Sequence, residues 1–189
     1  MTETEWTKKI SDELNIELLS KGLHSQVGQK IPYSIEISSY GTDWTPYFLA
    51  PDFYETDLIV YEEKSGKYIP RVIIEAKYER INTHAAIAYC EKAQRHKNLM
   101  PQLRYGMMLG NWKNRPLPGR LLRNGTNFDF MFRFEESTPK GNEWKVFVEM
   151  IFREIEYSKQ LEEVLHETRS RNRKNYFMLQ KQLILEEQK

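Results

Sequence analysis

Three ionisable residues, Asp57, Glu75 and Lys77, carry the strongest chemical signal in the sequence. In the run Ile73-Ile74-Glu75-Ala76-Lys77-Tyr78 the two-residue period of a β-strand puts Glu75 and Lys77 on one face and Ile74 and Ala76 on the other. Asp57 opens a second apolar run, Leu58-Ile59-Val60, and the midpoint between 57 and 75 is Gly66, inside the turn-forming string Lys64-Ser65-Gly66. Antiparallel strands bring residues equidistant from their turn face to face, so Asp57 should stand opposite Glu75. A bulge at Pro70 can shift that register by a residue or two. Two acids and an ammonium thus converge on core strands, where unpaired charge is costly. Two compensations are open: an ion pair with Lys77, or a hard divalent cation held by both carboxylates and a main-chain carbonyl such as that of Ala76. The second leaves coordination positions for water and a phosphate oxygen. Such a cation polarises phosphate and helps generate hydroxide, while Lys77 orients or deprotonates the attacking water and offsets charge growing on the phosphate.

These side chains need a scaffold. Ile10, Leu14 and Leu18 recur at helical spacing between Trp6 and Leu23, with Gly22 as a stop. Residues 24–54 are rich in Gly, Ser, Pro and aromatics, with IPYSIEISSY as their one strand-like run. TDLIVYE (56–62) and YIPRVIIEAKY (68–78) form a hairpin, a helix runs from Thr83 to about Met100, and LRYGMMLG follows as a strand. The strand, helix, strand order predicts a right-handed crossover and a parallel neighbour for the Glu75 strand. A further hairpin is expected to turn at Asn124-Gly125 and return through FDFMFRF. Residues 143–168 and 175–188 read as two closing helices. The fold class is therefore α/β, a mixed central sheet flanked by helices, in one domain spanning 1–189 with its core at 56–110.

At 189 residues the chain is long enough for a real core, and its 40% hydrophobic, 13% aromatic and 29% charged composition is that of an ordered, rather polar domain. No apolar run spans a bilayer and the N-terminus has no hydrophobic leader, so a soluble cytoplasmic protein without membrane partners is expected. One cysteine, Cys90, excludes an internal disulfide and a multi-cysteine zinc site. The net charge of +1 conceals an asymmetry. Residues 92–128 hold eight Lys and Arg and no Asp or Glu, a segment suited to a polyanion.

Asp57, a hairpin, Glu75-x-Lys77 on an apolar strand, then a helix and a strand: this arrangement resembles the PD-(D/E)xK nuclease superfamily, the restriction-endonuclease-like fold. The resemblance covers about residues 56–110, and Thr56 stands where the motif's name has proline. It implies a Mg²⁺-dependent phosphodiesterase acting on double-stranded DNA, with Mn²⁺ able to substitute, Asp57 and Glu75 as metal ligands and Lys77 as the catalytic lysine. The absence of ATPase, helicase or methyltransferase motifs points to a sequence-specific type II restriction enzyme. A repair, recombination or mobile-element nuclease, and a noncatalytic nucleic-acid-binding module, are the alternatives. Nucleases of this kind often place a helix glutamate near the metal; Glu17 is the choice here, with Glu13 one turn earlier.

DNA contact is expected from Lys92, Arg95 and Lys97 on the helix after the Glu75 strand, and from Arg115, Arg120 and Arg123 beyond it. His96, between Arg95 and Lys97, is a lesser candidate for a phosphate contact, and Arg169, Arg171, Arg173 and Lys174 form a second, weaker basic spot. Cys90 reads as a small buried hydrophobe. The apolar terminal helices could pack on a second subunit; a homodimer would set two sites against the two DNA strands.

Overall fold

The computed structural model describes residues 1–139, 141–167, 169, 171, 174, 176–179, 184 and 185. Helix α1, Glu3–Leu18, starts in a capping box in which Thr2 and Glu5 exchange hydrogen bonds of 2.8 and 3.2 Å. It buries Trp6, Ile10, Leu14 and Leu18 in one stripe, and after a 3₁₀ turn, Leu19–Lys21, the chain reverses at Gly22 with φ of +67°. The strands that follow are β1 (Leu23–Val27), β2 (Lys30–Ser34), β3 (Ile37–Tyr40), β4 (Pro46–Phe48), β5 (Asp52–Glu55), β6 (Leu58–Lys64) and β7 (Lys67–Tyr78). Then come α2 (Thr83–Leu99), β8 (Arg104–Gly110), α3 (Gly119–Asn124), β9 (Phe130–Arg133) and α4 (Gly141–Glu167).

The central sheet has the order β1-β6-β7-β8-β9. β1, β6 and β7 are antiparallel, whereas β7, β8 and β9 run parallel. The sheet is therefore mixed, and β8 is the parallel neighbour expected for the Glu75 strand. Alternating side chains supply two cores. Leu58, Val60, Val72, Ile74, Ala76 and Met108 pack against α1 and α4, while Ile59, Ile73, Met107 and Leu109 pack against α2 and α3. Ser65 and Gly66, both with positive φ, make the two-residue turn between β6 and β7. The expected bulge lies between the pairs Val60–Val72 and Tyr61–Pro70 and leaves Arg71 as the extra residue. Its guanidinium bonds Glu62 and Glu162 of α4, each at 2.7 Å, so the irregularity pins a helix to the sheet.

Two expectations fail. No hairpin forms at Asn124-Gly125: Asn124 ends helix α3, and FDFMFRF contributes β9, which lies parallel to β8. The Asn-Gly pair serves as a helix end because Leu121 and Phe128 anchor the loop on both sides. In the 175–188 segment the described residues, 176–179, 184 and 185, carry no regular element; the rest of that segment, Leu183 included, lies outside the described residues, as does Arg173.

Gly106 shows how tightly β8 and β9 fit. A Cβ there would lie 2.2 Å from two ring carbons of Phe130, its cross-strand partner. Gly106→Ala must displace a buried ring and should destabilise the protein by about 2–3 kcal/mol, or roughly 4–12 °C in thermal midpoint, measurable by calorimetry. An unchanged midpoint would show that the ring moves freely.

Candidate active site

The β6–β7 register, with Leu58 opposite Ile74, carries Asp57 to a place across from Glu75. Oδ2 of Asp57 accepts a 2.8 Å hydrogen bond from the main-chain N–H of Ala76, between the two motif residues of β7. Thr56 stabilises this approach: its hydroxyl donates to the carbonyl of Gln29 at 3.0 Å and its own carbonyl accepts from Gly28 at 3.1 Å. Asp57, Glu75 and Lys77 share the parity of Ile59 and Ile73, so all three issue from the α2 face of the sheet. Ile74 and Ala76 point into the other core, as expected.

Glu75 is fully buried. Its Oε1 accepts from the Tyr105 hydroxyl at 2.5 Å and pairs with Lys92 Nζ at 2.8 Å, whereas Oε2 is buried without a hydrogen-bond partner. An unsatisfied buried carboxylate oxygen costs about 1–3 kcal/mol or more, and Glu75 Oε2 is the one carboxylate oxygen among the four buried, unpartnered side-chain atoms of the described residues. Burial pushes the carboxyl up to about 7, with Lys92 opposing and the neighbouring Asp57 charge adding to the rise. Tyr105 is held firmly as a neutral phenol by burial and by the Glu75 charge, so it remains a donor.

Lys77 meets a different partner from the one expected. Its ammonium lies 2.6 Å from Oε1 of Glu3, at the first turn of α1, and Oε2 of the same glutamate accepts from the Tyr78 N–H at 3.1 Å. Burial works against the charge, yet hydrogen bonds to Glu3 and to Tyr89 of α2 prevail and raise the lysine above its ordinary range. Lys77 is thus a firmly held cation rather than a ready base. The helix carboxylate next to the motif is Glu3. Glu17 is exposed and Glu13 only half-buried. They lie fourteen and ten residues further along α1, roughly 21 and 15 Å of helix from Glu3, and neither is brought to the site. Glu3 escaped notice because a capping turn rich in acids looks the same whether or not it touches anything. Lys92 left a faint trace, a cation beside the apolar stripe Ala86, Cys90, Ala93.

The basic segment is less uniform in space than in sequence. Lys92 pairs with Glu75 and bonds the carbonyl of Glu55, so it belongs to the site rather than to a DNA-facing surface. Arg95 bonds Glu91 at 2.9 Å and lies over the Tyr33 ring. Lys97 pairs with Asp129 at 2.7 Å, and Arg104 with Asp129 and Glu154 at 3.1 and 2.6 Å. Acids from outside the segment therefore neutralise its first half. The second half stays exposed. Arg115 stacks 4.0 Å over Trp112 and donates to the Glu79 carbonyl, Arg120 donates to that of Ile81, and Arg123 is exposed on the same short helix. Glu79 and Ile81 directly follow β7, so Arg115 and Arg120 flank the chain leaving Lys77. His96 is buried, its Nε2–H donates to the Ile31 carbonyl at 3.3 Å, and its pKa is held down at about 4 mainly by burial. It is a neutral core side chain, not a phosphate contact. Cys90 is buried, as expected.

The donor set fits a hard cation. Glu75 Oε2 is buried and unpartnered, Asp57 stands across from it, and the ligands are oxygens. Among the described residues no group of three or more His, Cys, Asp and Glu comes together. The protein would thus supply the two carboxylates and the main-chain carbonyl of Ala76, the residue after Glu75.

No protein-family model and no curated protein matches the chain. Among solved structures it is similar to one described as the pre-specific restriction endonuclease BsaWI in complex with DNA. The TM-score is 0.44 and the identity 12%; the match covers 82% of this chain and 61% of that one. No helix among the described residues is long and apolar enough to cross a membrane.

Proposed function

We propose that the chain is a metal-dependent DNA endonuclease that hydrolyses phosphodiester bonds, with Asp57, Glu75 and the Ala76 carbonyl holding Mg²⁺ or Mn²⁺. The observation that carries this reading is the buried, unpartnered oxygen of Glu75 on the face it shares with Asp57 and Lys77. A purely structural ion pair would satisfy both oxygens; here Lys92 and Tyr105 converge on one and leave the other. A bound divalent cation supplies Lewis acidity toward the phosphate and its attacking water. Asp57 is oriented for its part by the Ala76 N–H, and Glu75 is clamped by Tyr105 and Lys92. Lys77, kept protonated by Glu3 and Tyr89, offsets negative charge developing on the phosphate. Arg115, Arg120 and Arg123, beside the exit from β7, hold the DNA backbone. The form of this activity that we propose is sequence-specific cleavage of duplex DNA by a two-fold pair, as in type II restriction.

Purified protein is expected to cut duplex plasmid DNA into discrete bands with Mg²⁺ and to leave it intact with EDTA. Glu75 must be ionised to bind a cation, and its proton is retained up to about pH 7. Cation affinity, read by calorimetry, and cleavage should therefore fall by up to about tenfold per unit below pH 7. Without metal the sign reverses for stability. The raised carboxyl contributes fully below its unfolded value near 4.5, and that contribution is lost as pH rises through 7. Plasmid left uncut with both Mg²⁺ and Mn²⁺ would refute the nuclease reading.

A further inference from the structure

Lys92 is held much as a metal ion is held. Its ammonium, at the end of a side chain rising from α2, lies 2.8 Å from Oε1 of Glu75 and donates to the main-chain carbonyl of Glu55, the last residue of β5. The rings of Tyr89 and Tyr54 stand 5.7 and 5.9 Å away, and the side chain keeps only 13% of its surface exposed. A carboxylate oxygen and a backbone carbonyl are the donors that a hard divalent cation takes. Two ring faces add attraction for positive charge.

Glu55 and Tyr54 reach this place from outside the central sheet. β2 to β5 form an arm whose outer β3–β4 ribbon is largely uncovered, while its base, the β2–β5 pair, lies against α2. The base is fixed there by Tyr54, edge-on to the buried His96, and by the bond between Ile31 and the same imidazole. The two oxygens of Glu75 are thereby divided. Oε1 is given to Tyr105 and Lys92, and Oε2 is left open.

Charge then limits how many ions the site accepts. Lys77 is balanced by Glu3, so the groups around the open oxygen are Asp57, Glu75 and Lys92, two acids against one cation. Their sum, minus two plus one, is minus one. One divalent ion brings the cluster to plus one. A second would bring it to plus three around a carboxylate that water does not reach.

We infer that the Lys92 ammonium takes the place of a second metal ion, so that each chain binds a single divalent cation. The inference rests on the reading of Asp57 and Glu75 as metal ligands. Lys92 is a positioning residue in this scheme: it acts on the ion only through the charge it adds and the carboxylate oxygen it occupies.

Counting Mn²⁺ on the full chain tests this, by titration calorimetry and by electron paramagnetic resonance of the bound ion. Wild type should bind one Mn²⁺ per chain, with the spectrum of an isolated ion up to millimolar Mn²⁺. Lys92→Gln keeps a donor for the Glu55 carbonyl and removes the charge. It should hold the first ion at least about tenfold tighter, take up a second, and give the spin-coupled spectrum of two ions about 4 Å apart. Lys92→Arg restores the charge and should return the count to one. Should Lys92→Gln fold poorly, Lys92→Met removes the charge from a comparable apolar stem and should show the same second ion. Two ions on the wild type, or one on a folded Lys92→Gln or Lys92→Met, overturns the inference and leaves the nuclease reading standing. A wild type that binds no Mn²⁺ refutes the metal site itself and the inference with it.

Discussion

Glu75→Gln and Asp57→Asn should each lower duplex cleavage by about a thousandfold or more while leaving salt-dependent DNA binding within a few-fold of wild type. The isosteric amides are the informative choices. Glu75 accepts from Tyr105 and pairs with the partly buried Lys92, so alanine would leave the phenol without its acceptor and Lys92 without its counter-charge, and mix a folding defect into the result. Glutamine keeps an acceptor for the phenol and removes the negative charge on which a hard cation depends. In the same way asparagine at 57 retains an acceptor for the Ala76 N–H. Loss of the raised carboxyl should also make Glu75→Gln at least as stable as wild type at pH 8 without metal, since the burial cost of the ionised carboxylate disappears. Gel assays with Mg²⁺, fluorescence anisotropy and thermal melts separate these effects. If both amides cut at the wild-type rate, Asp57 and Glu75 do not hold the metal.

Lys77→Ala is expected to cost about 10²–10⁴ in cleavage rate, and Glu3→Gln about tenfold. The two differ because Lys77 would face the phosphate, whereas Glu3 acts on it only through the ammonium it positions. Stability distinguishes this from a noncatalytic ion network. The Lys77 and Glu3 side chains keep 19% and 38% of their surface exposed, so solvent screens their pair in part and its worth to folding is on the order of 1 kcal/mol. Lys77→Ala should therefore melt close to wild type and still bind DNA. A variant that unfolds and loses binding together would favour the structural network; one that cuts normally would remove Lys77 from the chemistry. Lys77→Arg keeps the charge in a broader head and should recover part of the lost rate.

The contrast between the Glu75 hairpin and the basic segment shows what could be read from residue order. Asp57 facing Glu75, the bulge at Pro70, the shared face of Glu75 and Lys77 and the parallel strand β8 all follow from local rules: strand alternation, hairpin symmetry, a proline without an N–H and a helix long enough for a crossover. These rules act between segments at most 32 residues apart in sequence and survive any packing of the remainder. Partner choice does not. Lys92 was legible as a cation on a helix, and Lys77 as the neighbour of Glu75, but which ammonium meets which carboxylate depends on how α2 and the first turn of α1 dock on opposite faces of the sheet. Glu3 lies 74 residues from Lys77. The same limit explains the Asn124-Gly125 reading, correct as a chain reversal and wrong as a hairpin, because β9 found β8 rather than its sequence neighbour.

Sequence alone therefore determined the alternation of core and charge that sets two acids and a lysine on one face, since that depends only on backbone period and turn symmetry. Tertiary structure alone decided which oxygens were satisfied and which were not. Burial and pairing energies belong to contacts between distant segments, and the unpartnered Glu75 oxygen, the paired half of the basic segment and the uncovered arm all result from those contacts.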